Sequence, residues 1–202
     1  MGELTYYPQH ADVEKRFVVD VSEHVLTVCA DYALHKHLLF KAPGDSAFWF
    51  EFITWPGGLT VSGDMGTFTF RREQDMLRFF EGSAGIDLRY WAEKVQGSSG
   101  VETYSERLFR EHVQQDYEEH IQDDPGASHL HELWEQITES VLDLASYGER
   151  EAMDAAMNFR GAGSFRFDDA WEWCIRDYTY RFVWVCLAIR WGIAKYRTEG
   201  GV

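Results

Sequence analysis

The sequence is short of cysteine, and its few cysteines are isolated. There are three, Cys29, Cys174 and Cys186, and no two of them form a CxxC pair. An odd number of isolated cysteines favours reduced thiols over a disulfide framework. No signal peptide is recognisable at the start of the chain, so we expect a cytoplasmic protein.

Long apolar runs and familiar catalytic motifs are also missing. The longest apolar stretch covers only positions 182–194, and Arg190 interrupts it. A membrane-spanning helix needs about 20 residues, so we interpret this stretch as a buried helix and expect no membrane partner. The sequence contains no Walker loop, no GxSxG and no GxGxxG, and none of the reactions that depend on these motifs is indicated.

Positive charge is scarce. The chain has 19 Lys and Arg against 34 Asp and Glu, which gives a net charge of −15. A protein that binds nucleic acid directly usually presents a basic patch, so we expect no direct nucleic-acid contact. The excess is concentrated in residues 101–154, where 15 acidic residues face three basic ones. This segment is expected to attract a basic surface on another protein.

What the chain does contain is aromatic residues, which make up 16% and indicate a folded protein. Phe17, Val21, Val25, Val28 and Tyr32 recur at helical spacing, which predicts a first helix over residues 12–34. The segments 37–40, 48–54, 59–62 and 67–71 are predicted strands, and the last three alternate apolar and polar residues. WPGG (55–58) and GDMG (63–66) separate those three as turns.

The overall prediction is an α+β protein: an N-terminal helix and an antiparallel meander of three to four strands, covered on one side by helices. GSSG (97–100) marks a join between a module at 1–96 and a helical module at 101–202. The helical module is acidic at 101–154 and aromatic-rich at 168–197, and one compact unit is the alternative. Four helices are predicted in it, at 102–122, 128–147, 149–159 and 168–196.

Two side-chain sets suggest a function for the acidic segment. His112, Asp116 and His120 share one helix face and are residue types that bind zinc, but no HExxH or complementary pair accompanies them. A solvated helix face explains them more simply, and we expect no cofactor. The second set is a group of carboxylates predicted to bind a partner. Its members are Glu111, Asp116, Glu118, Glu119, Asp123, Asp124, Glu132 and Glu135.

Part of the chain resembles a family of small uncharacterised proteins encoded by tailed bacteriophages and prophages. The resemblance runs from Lys15 to about Ala92. It rests on HKHLLFKAPG (35–44), FEFITWPGGLTVSGDMGTFTF (50–70), DM (75–76), FF (79–80) and YWAEK (90–94). The specific part is WPGxL followed by GDMGxF. The resemblance implies phage origin, and with it the cytoplasm of a bacterial host, but it supplies no established activity and no catalytic residues.

Together these features favour a binding protein over an enzyme. The leading hypothesis is an accessory protein that inhibits or redirects a host protein, such as a nucleic-acid-handling defence complex, through an acidic surface that mimics nucleic acid. One alternative is a metal-dependent enzyme acting on nucleotides or nucleic acid, at His37, Asp64 and Arg71 or at His112, Asp116 and His120. A second alternative is an assembly protein that forms a homodimer through the aromatic C-terminal helix.

Overall fold

A computed structural model describes residues 7–82, 85–97, 100–123 and 128–200, and it divides the chain into two compact units. The first, called the sheet unit below, comprises residues 1–102 and 178–202. The second, called the acidic unit, is residues 103–177 and is inserted between the two parts of the first. The last helix therefore belongs to the sheet unit, whereas the sequence assigned it to a helical module at 101–202.

The sheet unit contains one antiparallel sheet, as the sequence predicted. The strands follow each other in chain order, so the sheet is a simple meander. It has five strands rather than three to four, and their bounds are β1 Val25–Tyr32, β2 His35–Lys41, β3 Phe50–Trp55, β4 Gly58–Gly63 and β5 Gly66–Phe70. The sheet unit also holds helices α1 Ala11–Asp20, α2 Met76–Glu81, α3 Leu88–Ala92 and α7 Tyr180–Glu199. The predicted α+β fold is confirmed.

The prediction of one helix over residues 12–34 is wrong. Helix α1 ends at Asp20, and after a turn the residues Val25–Tyr32 of that segment form strand β1. The β1 sequence, VLTVCADY, contains β-branched residues that favour a strand. The apolar residues of β1 continue the helical spacing of α1, but this spacing has no structural role. Val25, Val28 and Tyr32 are 47%, 41% and 76% exposed and form no buried stripe.

The two turns predicted in the meander are confirmed. Pro56 and Gly57 connect β3 to β4, and Gly57 adopts φ of +87°, as a type II turn requires of its third residue. Asp64 and Met65 connect β4 to β5. The Asp64 carboxylate accepts the backbone N–H of Phe48 at 2.6 Å, so it holds the loop before β3 rather than its own turn.

The inner face of the sheet packs against α7. Phe40, Phe50 and Phe52 are fully buried on this face, and α7 itself has eleven buried residues. At Gly192 the helix comes so close that a Cβ atom would lie 2.7 Å from Cζ of Phe52. The apolar stretch at 182–194 is thus a buried helix, as predicted, and its aromatic side chains pack inside the sheet unit.

The acidic unit is a small helical bundle with its own core. Helices α4 Glu106–Asp123, α5 Leu130–Ile137 and α6 Glu149–Asn158 surround buried residues such as Phe109, Leu133 and Ala152. The first of these was predicted from residue 102. The chain instead enters through the short strand β6 Glu102–Tyr104, which pairs with β7 Arg176–Tyr178.

Two other helix predictions in this region are wrong. The segment 128–147 is not one regular helix, because α5 continues as a π turn at Thr138–Leu142 and a 3₁₀ turn at Ala145–Tyr147. The last helix starts at Tyr180 and not at Asp168, since the Thr179 side chain caps it by accepting the N–H of Phe182 at 3.1 Å. The preceding residues form a 3₁₀ turn at Ala170–Glu172 and strand β7.

Candidate binding surface of the acidic unit

Helix α4 presents most of its length to solvent. Only Phe109 and Val113 among its 18 residues are fully buried, so its charged side chains can reach solvent. Its two arginines lie in the first two turns. Arg107 binds both carboxylate oxygens of Glu111 at 2.8 and 2.9 Å, and Arg110 binds Glu106 at 2.8 Å. Beyond Arg110 the sequence contains no further Lys or Arg until Arg150.

Glutamine side chains hold several of the predicted partner-binding carboxylates in this cation-free stretch. Gln114 donates to Glu118 at 2.7 Å and Gln115 donates to Glu119 at 2.9 Å, in both cases one helical turn away. On α5, Gln136 donates in the same way to Glu132 at 3.1 Å. An amide donor binds the carboxylate without neutralising its charge. These three glutamates are therefore hydrogen-bonded, and among the described residues none of them is in an ion pair.

The other predicted carboxylates have different environments. Glu111 is neutralised by Arg107, and Glu135 lies 3.4 Å from the imidazole Nε2 of His131. Asp123 is exposed at the end of α4, and Asp124 lies outside the described residues. Asp116 is half-buried, and its pKa is raised, first by burial and then by the neighbouring charges of Glu119 and Asp168.

A groove of about 600 Å³ runs beside α4 and is called the acidic groove here. Three carboxylates on its wall come from α4, and three come from a segment that follows α6 in the chain. The six are Asp116, Glu119, Asp123, Asp168, Asp169 and Glu172. Arg166 is also on the wall, where it binds Asp168 at 2.6 Å. The contribution of Asp168, Asp169 and Glu172 to this groove could not be recognised from the sequence, because residues 168–172 are predicted as the start of the last helix.

His112, Asp116 and His120 line this groove, but they do not converge on one point. The His112 ring stacks on Trp173, with centroids 5.5 Å apart and planes 5° from parallel. Nε2 of His120 lies 3.5 Å from Nε2 of His129, and its ring contacts Phe165. Across the described residues, no group of three or more His, Cys, Asp or Glu side chains is arranged to hold a metal ion.

The residues proposed for an enzyme site on the sheet unit have separate local partners. His37 on β2 places Nε2 2.7 Å from a carboxylate oxygen of Glu51 on β3. Asp64 holds the backbone before β3, and the N–H of Arg71 donates to the carbonyl of Lys94 at 2.9 Å. Each of these contacts joins neighbouring parts of the sheet unit.

No protein-family model, no curated protein and no solved structure matches this chain. The resemblance of residues 15–92 to phage proteins therefore stays a prediction. Within the described ranges, no helix combines the length and the apolarity that a bilayer crossing requires. All three cysteines are free thiols, and complete burial raises the pKa of Cys186 well above its usual value.

Proposed function

We propose that the protein is a phage-encoded accessory protein whose acidic unit binds a basic surface on a host protein, of the kind that normally holds nucleic acid. The observation that carries this proposal is the distribution of charge between the units. The acidic unit contains 18 acidic and six basic side chains, a net of −12. The sheet unit, with its termini, accounts for the remaining −3.

The arrangement of this charge supports binding better than a general role in solubility. A solubilising surface needs net charge but no fixed positions. Here Glu118, Glu119 and Glu132 each accept a hydrogen bond from a glutamine one turn away, which biases their positions by about 0.2 to 0.5 kcal/mol each and leaves their charge in place. The long stretch without Lys or Arg leaves these carboxylates to be neutralised by the partner's own cations.

The charge also indicates which class of partner fits. A phosphate backbone would be repelled by the acidic unit, whereas a protein groove that binds phosphates supplies Lys and Arg. Carboxylates that occupy such a groove compete directly with nucleic acid. The expected effect on a nucleic-acid-handling complex is therefore inhibition by occupancy, with no reaction catalysed.

A matched pair of double variants tests this proposal. Glu118→Lys with Glu119→Lys reverses two exposed carboxylates on α4, and Glu23→Lys with Glu73→Lys reverses two exposed carboxylates on the sheet unit. Both variants change the net charge from −15 to −11. The measurement is capture of host proteins from a bacterial lysate, followed by titration of the captured partner with each variant at low and high salt.

The α4 variant should weaken binding at least about tenfold, and the sheet-unit variant less than about twofold. Binding by the unmodified protein should fall steeply with salt, because exposed charges are screened. Equal loss in both variants would mean that only net charge matters. Binding that is insensitive to salt and to the α4 variant would rule the proposal out.

A further inference from the structure

The two edges of the five-stranded sheet differ. Beyond β5, Val95 forms a bridge with Phe70. The N–H of Gln96 also donates to the carbonyl of Thr69 at 2.7 Å, so this edge is covered. At the other edge, β1 pairs with β2 alone among the strands in the described residues, and six of its eight residues are exposed. The backbone N–H and C=O groups on the far side of β1 are therefore open to a further strand.

The inner face of the sheet is incompletely covered at β1. Val28 on β1 is paired with Leu38 on β2, and paired residues lie on the same face of a sheet. Leu38, on a strand flanked on both sides, is fully buried, whereas Val28, on the edge strand, is 41% exposed. A strand added beside β1 would bring apolar side chains next to Val28 on this face.

Strand β1 also lacks the residues that keep exposed edges apart. Natural edge strands carry Lys or Pro, which oppose pairing with another chain, and the β1 sequence VLTVCADY contains neither. Its one charged residue, Asp31, already accepts hydrogen bonds from Lys36 and Tyr196 of the same chain. The bulge in β1 follows Val28, which leaves residues 25–28 in regular register with β2. An added strand would thus meet a regular edge that brings no unpaired charge into the contact.

We propose that β1 pairs antiparallel with β1 of a second copy of this chain, so that two sheets join into one. A second copy fits because the open edge can pair with itself about a two-fold axis. The assembly closes at the dimer, since residues 94–96 cover the β5 edge of each copy. Charge opposes this contact little, because the sheet unit carries only −3 of the net charge of −15.

The two faces of the sheet determine the register of this pair. A two-fold antiparallel pair keeps the inner face continuous only when opposed residues lie on the same face, so it is centred on a residue. Centring it on Thr27 uses the regular part of β1 and places Leu26 of each copy opposite Val28 of the other. Both of these side chains lie on the inner face, where they form two apolar cross-strand pairs. The contact is one strand edge long, so we expect a weak dimer with a Kd on the order of 10 µM.

Sedimentation equilibrium of the full chain, followed by a distance measurement, tests the proposal. The mass should rise from 23.5 kDa towards twice that value as the concentration passes through about 10 µM. Nitroxide labels are then attached to exposed Cys29 in a Cys174→Ser variant, in which Cys186 is buried. Labels on paired strands should lie within about 25 Å of each other, because strands are about 4.8 Å apart and rise about 3.3 Å per residue. A protein that stays monomeric at about 300 µM, or a dimer without this short distance, would overturn the proposal.

Two threonines at opposite ends of one cross-strand row provide a matched control. Thr27 on β1 and Thr67 on β5 are both exposed, and the register of the four strand pairs places them on the same face. Thr27→Lys brings two lysines together at the two-fold axis, so the Kd of the dimer should rise at least about tenfold. Thr67→Lys makes the same charge change at the covered edge and should leave the Kd within about twofold. Equal weakening by both variants, or unchanged association of the folded Thr27→Lys protein, would contradict the assignment.

Discussion

Asp31 on strand β1 connects the C-terminal end of helix α7 to the sheet by hydrogen bonding. Its carboxylate accepts hydrogen bonds from Lys36 on β2 and from the hydroxyl of Tyr196 on α7. The hydrogen bond from Lys36, and then the one from Tyr196, lower the pKa of Asp31 below its ordinary value of 3.8. The ionised form is therefore the one that stabilises the fold.

This gives a pH-dependent prediction for Asp31→Asn. Because the folded-state pKa is lowered, the contribution is complete above the unfolded value near pH 4 and is lost as pH falls through the folded pKa. Denaturant unfolding should show Asp31→Asn less stable than the unmodified protein at pH 7, with the difference shrinking below pH 4. Asp12→Asn is the control, since the Asp12–Lys15 pair is almost fully exposed and should contribute little at either pH. A difference that persists unchanged at pH 2.5 would show that the charge of Asp31 is not responsible.

At the scale of elements, the N-terminus of helix α7 is capped by the side chain of Thr179. Oγ1 of Thr179 accepts the N–H of Phe182 at 3.1 Å and donates to the carbonyl of Gly100 at 2.5 Å. Thr179→Ala should lower the free energy of unfolding by about 1 to 2 kcal/mol, because the first turn of the helix loses its side-chain acceptor. Thermal unfolding measures the loss. Thr179→Ser keeps the hydroxyl and should restore most of the stability; equal destabilisation by Ser would assign the effect to the methyl group instead.

Elements whose determinants are local could be predicted from the sequence, and others could not. The strands at 50–70 were predictable because their alternation and their turn residues lie within a few positions of each other. Strand β1 was missed because Val25 and Val28 fit helical spacing, and only pairing with β2 decides between the two structures. The acidic groove could not be predicted as a groove: the sequence places Asp116 and Glu119 on one helix, whereas Asp168 reaches them only through the tertiary fold.

At the scale of the whole molecule, the acidic unit is an insertion. The sheet unit and the acidic unit each have a separate hydrophobic core. The chain leaves and re-enters the sheet unit at neighbouring points, since the N–H of Thr179 donates to the carbonyl of Val101 at 2.9 Å. A boundary at 97–100, which the sequence suggested, would separate α7 from the sheet that buries it. The amino-acid composition changes at residues 97–100, but this change does not reveal that helix α7, later in the chain, packs against the sheet.

Excision of the acidic unit tests this organisation. Replacing residues 103–177 by a short Gly-Ser linker joins two ends that are already adjacent, so the loop-closure entropy is small. The product should unfold cooperatively, keep a dispersed NMR spectrum and lose the affinity for basic partners, because its net charge is only −3. The matched control is the fragment 1–96, which lacks α7 and exposes Phe40, Phe50 and Phe52; it should aggregate or remain unfolded. A folded 1–96 fragment, or an unfolded excision product, would show that the sheet unit is not the unit of folding.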